Sequence, residues 1–111
     1  MTGTYPDFGN GAVALLDGGT GTELQRRGVP MTTQAWCGPA ALDHVATLEE
    51  VHRDYIAAGA DIVTANTYAS ARHLLAQDGF GDQFEPINRA AVRAARAARD
   101  AAGRPDVLVA G

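Results

Sequence analysis

The sequence predicts an α/β fold with parallel strands, and three observations carry that prediction. Residues 12–16 (AVALL), 62–65 (IVTA) and 107–110 (VLVA) are short apolar runs without alternation, the pattern of strands buried on both faces. Segments with helical periodicity lie between them, and glycine or proline marks the joints. The order strand, helix, strand, helix, strand implies parallel strands joined by right-handed crossovers. A closed eightfold barrel needs about 200 residues or more, and the chain has 111. It is therefore either a small open α/β domain or part of a larger barrel. The stop at Gly111, at the tip of the third apolar run, favours the second.

Residues 1–11, rich in Gly, Thr, Pro and Asn, read as a loose lead-in to a unit spanning 12–111. The first apolar run ends in the glycine-rich loop Asp17–Thr22. Thr20 and Glu23 have the spacing of a capping box for a short helix that Gly28 can end. Residues 29–46 read as irregular. Thr47 and Glu50 form a second capping-box pair; Leu48, Val51, Tyr55 and Ala58 make one apolar face, and Gly59 closes the helix. After the second run, Ser70 is a candidate cap for a helix through Leu74 and Leu75. Pro86 suits the first turn of the last helix, whose apolar side is Ile87, Ala91, Ala94 and Ala98. Gly103 and Pro105 end it.

Composition narrows the function. A net charge of −4 gives no surface for nucleic acid or an anionic membrane. The basic run Arg89, Arg93, Arg96 and Arg99 falls on one side of the last helix and reads as a solvated face. With one cysteine, Cys37, no internal disulfide can form, which fits a reducing cytoplasm. No signal peptide and no run of roughly 20 apolar residues is visible.

In parallel α/β folds ligands bind at the carboxyl ends of the strands. Two polar clusters fall there: Asp17 to Thr22, and Asn66-Thr67-Tyr68. Glycines permit positive φ and leave backbone N–H groups open to a carboxylate, while Asp17 can accept from an ammonium. Together these suit an amino acid; the alternative is a tight turn with Asp17 as its cap. A phosphate loop fits poorly, since the third glycine of G-x-G-x-x-G is absent and no Walker lysine follows. Asn66 and Tyr68 would make a substrate wall or simply finish a strand. Trp36 reads as core in preference to pocket wall, and Cys37 as an inert small residue. His44, His52 and His73 have no ligand spacing, and zinc needs about three protein ligands.

Two blocks carry a family resemblance. Residues 16–24 (LDGGTGTEL) with Arg27-Gly28, and residues 51–68 (VHRDYIAAGADIVTANTY), resemble the homocysteine S-methyltransferases in order and spacing, and Trp36 between them also fits. The resemblance spans residues 12–111. It implies the amino-terminal βαβαβ segment of a (β/α)8 TIM barrel, incomplete in this chain. It implies methyl transfer from a small donor such as S-methylmethionine to the thiol of homocysteine, giving methionine. Zinc held by three cysteine thiolates in the complete barrel would ionise that thiol. By the same resemblance Asp17 would take the homocysteine amino group and the amides of Gly18, Gly19 and Thr20 its carboxylate. Asn66, Thr67 and Tyr68 would line the second strand's side. The family's zinc cysteines have no counterpart here, so no zinc and no catalytic residue is expected on this chain alone. A non-catalytic truncated binding module and a small nucleotide-binding α/β domain are the alternatives.

Overall fold

A computed structural model describes residues 11 and 13–111. All but Gly11 of the expected lead-in lies outside the described residues, as does Ala12. Strands β1 (Ile62–Thr64) and β2 (Leu108–Ala110) pair in parallel, with Val63 opposite Val109. Where a first strand is expected, residues 13–16 reach the other edge of β1 through a single parallel bridge, Leu16 to Ile62. Val13, Leu15 and Leu16 are 88%, 52% and 62% exposed. The apolar run thus lacks the cover on both faces that its composition predicts, and its ladder is correspondingly short.

The helices are α1 (Thr20–Arg26), α2 (Ala40–Asp43), α3 (Val45–Ala57), α4 (Arg72–Gln77) and α5 (Phe84–Ala101), with a 3-10 turn at Gly81–Gln83. Their ends differ from the capping signals. Thr20 lies inside α1 behind Gly19, and Glu23 turns its carboxylate to Arg26 and Arg27 instead. α3 starts two residues before Thr47, and Glu50 pairs with Arg27. Ser70 caps nothing; its hydroxyl donates to Asn88 Oδ1 at 2.6 Å, tying the loop after β1 to α5. For Glu50 and Ser70 a tertiary partner won the side chain from the local cap, and for Glu23 the arginines one turn on did so. Gly59 (φ 111°) does stop α3 and Gly103 (φ 64°) α5, as expected of left-handed helix ends.

Helices α3 and α5 lie side by side and cover one face of the sheet. Leu48 and Val51 of α3 and Ile87, Ala91 and Ala94 of α5 are buried in one cluster with Leu24 and Leu75. Ile56, Ala95 and Ala98 meet Val63 and Val107 in a second. A buried Leu, Ile or Val side chain contributes about 1.5–3 kcal/mol. The alanine stripe of α5 adds little area per residue but allows close helix approach. Arg89, Arg93 and Arg96 stay exposed on its far side, as the periodicity predicts. Among the described residues no helix is long and apolar enough to cross a membrane.

Candidate functional site

The carboxyl ends of residues 13–16 and of β1 open onto one cavity of about 330 Å³. Asp17, Gly18, Gly19, Thr20, Asn66 and Tyr68 line it, so two sequence-distant clusters meet. Thr67 is not among the lining residues. Its N–H donates to Ala65 O at 2.7 Å and its carbonyl accepts from Ser70 Oγ at 3.2 Å, which bends the chain after β1. Trp36, Cys37 and Thr64 also line the cavity and were not predicted as site residues.

Asp17 is not a turn cap. Its Oδ2 accepts the Thr64 N–H at 2.9 Å and its Oδ1 accepts from Thr64 Oγ1 at 3.1 Å. The Asp17 N–H donates to Ile62 O at 3.0 Å, so the next ladder acceptor due to Thr64 is supplied by a side chain rather than a backbone carbonyl. The main chain is thereby free to leave the sheet at Gly18. The half-buried carboxylate remains on the cavity wall with lone pairs to spare.

The glycines act by size rather than by φ. None of Gly18, Gly19 and Gly21 has positive φ. A Cβ on Gly18 would stand 2.8 Å from the Tyr55 hydroxyl, which donates to Gly19 O at 3.1 Å. A Cβ on Gly21 would stand 2.7 Å from Trp36 Cζ3. Among the described residues the N–H groups of Gly18, Gly19 and Thr20 meet no protein acceptor.

Trp36 is the one non-glycine at positive φ (48°) among the described residues. It packs against the core and also walls the cavity, where the sequence favoured core alone. Its carbonyl accepts from Thr32 N–H at 2.9 Å, and Asp78 Oδ2 accepts the N–H groups of Gln34 and Ala35 at 2.8 and 2.6 Å. Those backbone bonds, Ala35 first, hold the Asp78 carboxyl below its usual range. Cys37 is buried, and its thiol donates to Asn66 Oδ1 at 3.2 Å while Asn66 Nδ2 donates to Cys37 O at 2.9 Å. Burial pushes the thiol pKa up, away from the thiolate.

Among the described residues no cationic side chain lines the cavity. One carboxylate, unpartnered amides and an aromatic wall fit a zwitterion with an apolar side chain better than a phosphate. Among the described residues no three His, Cys, Asp or Glu side chains converge as a metal site. Cys37, protonated and bonded to Asn66, does not fit zinc.

Known proteins bear on the same residues. The family model for homocysteine S-methyltransferases matches residues 14–111. A selenocysteine methyltransferase of Astragalus bisulcatus is 36% identical over 91 residues, covering 81% of this chain and 27% of that protein. Homocysteine S-methyltransferase 4 of Zea mays is 32% identical over 111 residues, covering 90% of this chain and 32% of its own length. Among solved structures, the metallated form of the homocysteine methyltransferase MmuM from Escherichia coli superposes with a TM-score of 0.77 at 27% identity. It covers 97% of this chain, which in turn covers 39% of it.

Proposed function

The chain belongs to the homocysteine S-methyltransferase family, and we propose that it supplies the amino-acid-binding part of a methyl transfer to the homocysteine thiol, giving methionine. The observation that carries this is the Asp17 carboxylate facing a cavity in which, among the described residues, the loop amides meet no acceptor and no cation stands. Asp17, already oriented by Thr64, accepts from the substrate ammonium. The N–H groups of Gly18, Gly19 and Thr20 take its carboxylate. Asn66 and Tyr68 form the wall contributed by β1 and the turn after it, and Thr67 sets the bend between them. These contacts hold the amino-acid end and leave the thiol to point toward a small methyl donor such as S-methylmethionine.

The chain spans about a third or less of the relatives' lengths. Zinc is the group that lowers a thiol's pKa in the complete barrel, and the residues here do not fit it. We therefore assign this chain substrate positioning in the first strands of a (β/α)8 barrel, without transfer by these residues alone. The amino-acid end is common to homocysteine and selenocysteine, so the residues here do not separate sulfur from selenium. The lack of a cation counts against the nucleotide reading.

The test uses Trp36, the single tryptophan, which lines the cavity. Homocysteine titrated into the chain should change its emission saturably, and methionine, which shares the amino-acid end, should compete. Inorganic phosphate and AMP should not. A flat response to homocysteine, or saturation by AMP, would overturn the assignment.

A further inference from the structure

Asn66 lies on the cavity wall, yet its carboxamide faces away from solvent. The residue is 4% exposed, with Oδ1 accepting from Cys37 Sγ and Nδ2 donating to Cys37 O. Cys37 follows Trp36, whose left-handed backbone is disfavoured for a bulky residue and persists only where the surroundings enforce it. Three side chains do so. Thr32 Oγ1 donates to Trp36 O at 3.2 Å, Asp78 takes the amides of Gln34 and Ala35, and Asn66 pins Cys37. Gly38 behind them admits no Cβ, since one would stand 2.9 Å from Ala69 O. The segment thus sits against the turn after β1 with Asn66 as its only side-chain link to that strand's end among the described residues. The Trp36 ring is carried onto Gly21, where it lines the cavity.

We propose that Asn66 is a positioning residue: through Cys37 it holds Trp36 in the left-handed turn that makes its ring the cavity wall. The proposal deepens, and for its ligand rests on, the homocysteine reading above. Asn66 touches no substrate with its carboxamide. It fixes the wall that the substrate side chain packs against.

The test is Asn66→Ala in the 111-residue chain, with Ser70→Ala as a control on the same turn. In the ligand-free chain, Asn66→Ala should red-shift Trp36 emission and raise its acrylamide quenching. Ser70→Ala loses a different buried hydrogen bond and should leave both unchanged. Homocysteine affinity should fall about tenfold in Asn66→Ala, the scale of one hydrogen bond. Cys37→Ala removes only the thiol bond and should move Trp36 the same way by less, and Cys37→Ser should restore it. An unchanged Trp36 spectrum in Asn66→Ala with homocysteine binding lost would make Asn66 a direct contact and overturn the proposal. A shifted spectrum at full affinity would overturn the positioning role. If Asn66→Ala does not fold, Cys37→Ala decides, and no shift there refutes the clamp. Failure of the wild-type chain to bind homocysteine sinks the ligand assignment, while the ligand-free spectra still judge the clamp.

Discussion

Asp17 and Asp61 close opposite ends of one strand pairing, each from the other's strand. Asp61 Oδ2 accepts the Leu15 N–H at 2.9 Å, and Asp17 Oδ2 accepts the Thr64 N–H at 2.9 Å. Between them, Asp61 N–H donates to Leu15 O at 2.7 Å and Asp17 N–H to Ile62 O at 3.0 Å. A pairing with one β-bridge is held in register by two carboxylates. Only Asp17 also faces the cavity. The two residues therefore separate structure from binding.

Asp61→Ala leaves the Leu15 N–H without its acceptor and should loosen residues 13–17. A typical hydrogen bond contributes about 0.5–1.5 kcal/mol, so the Asp17 amide should exchange with solvent about 2- to 13-fold faster. Native-state hydrogen exchange reads this directly. Protection unchanged at Asp17 would mean that Asp61 does not hold the bridge.

Asp17→Asn makes a different forecast. The amide oxygen can still accept the Thr64 N–H and its NH2 can face Thr64 Oγ1, so the melting temperature should stay close to wild type. The charge on the cavity wall is lost. A hydrogen bond to a charged group is worth about 1.5–3 kcal/mol, so homocysteine should bind about 10- to 150-fold more weakly. A folded Asp17→Asn chain with full affinity would remove Asp17 from the site.

His52 gives the fold a pH dependence. It is fully buried on α3, and neither ring nitrogen has a hydrogen-bond partner among the described residues. Burial lowers its pKa below 6.5, opposed in part by the charge of Asp17. The unfolded chain then binds the proton more readily than the folded one. Stability is intact above the unfolded value of about 6.5 and is lost as pH falls from there through the depressed folded value. Melting temperatures at pH 7.5 and 5.5 should differ more for wild type than for His52→Leu, which forfeits no hydrogen bond. Equal pH sensitivity in both would exclude His52 as the cause.

The parts of the fold legible in the sequence are those set by periodicity. The stripe from Ile87 to Ala98 is buried where predicted, and strands β1 and β2 fall inside their apolar runs. Helix starts were less legible: Glu50 and Ser70 found tertiary partners that no local pattern announces, and Glu23 pairs with Arg26 and Arg27 three and four residues on instead of turning back to a cap. Helix α2 is a single turn behind Gly38-Pro39, too short to show a period. At the site, the clusters around Asp17 and Asn66 were visible as polar residues at strand ends. Thr64 was not, since its role depends on a register seen only in the pairing. Trp36 was legible as core, which it packs against, but not as cavity wall, because a left-handed bulky residue has no sequence signature.

The alanine stripe of α5 should resist enlargement. Ala94 and Ala95 are 1% and 0% exposed, one in each core cluster. Extra methylenes in a filled core typically cost about 1–3 kcal/mol. Ala95→Leu should lower the denaturation midpoint accordingly, whereas Ala97→Leu at a half-buried position of the same helix should cost less. Equal losses at both positions would show that the packing between α5 and the sheet is loose.

Gly21→Ala sets two effects of opposite sign against each other. Inside a helix, replacing glycine by alanine stabilises by about 0.8–1.0 kcal/mol on propensity alone. Here the new Cβ would stand 2.7 and 2.9 Å from Trp36 Cζ3 and Cζ2, inside contact distance of a rigid ring. Moving that ring aside works against a backbone tied through Thr32, Asp78 and Asn66. Overpacking should therefore win over propensity, with a net loss of stability and a displaced Trp36. The chain should melt lower than wild type, Trp36 emission should shift, and homocysteine should bind more weakly as the wall moves. A Gly21→Ala chain that melts higher with an unshifted Trp36 spectrum would show that propensity prevails and that the ring has room to move.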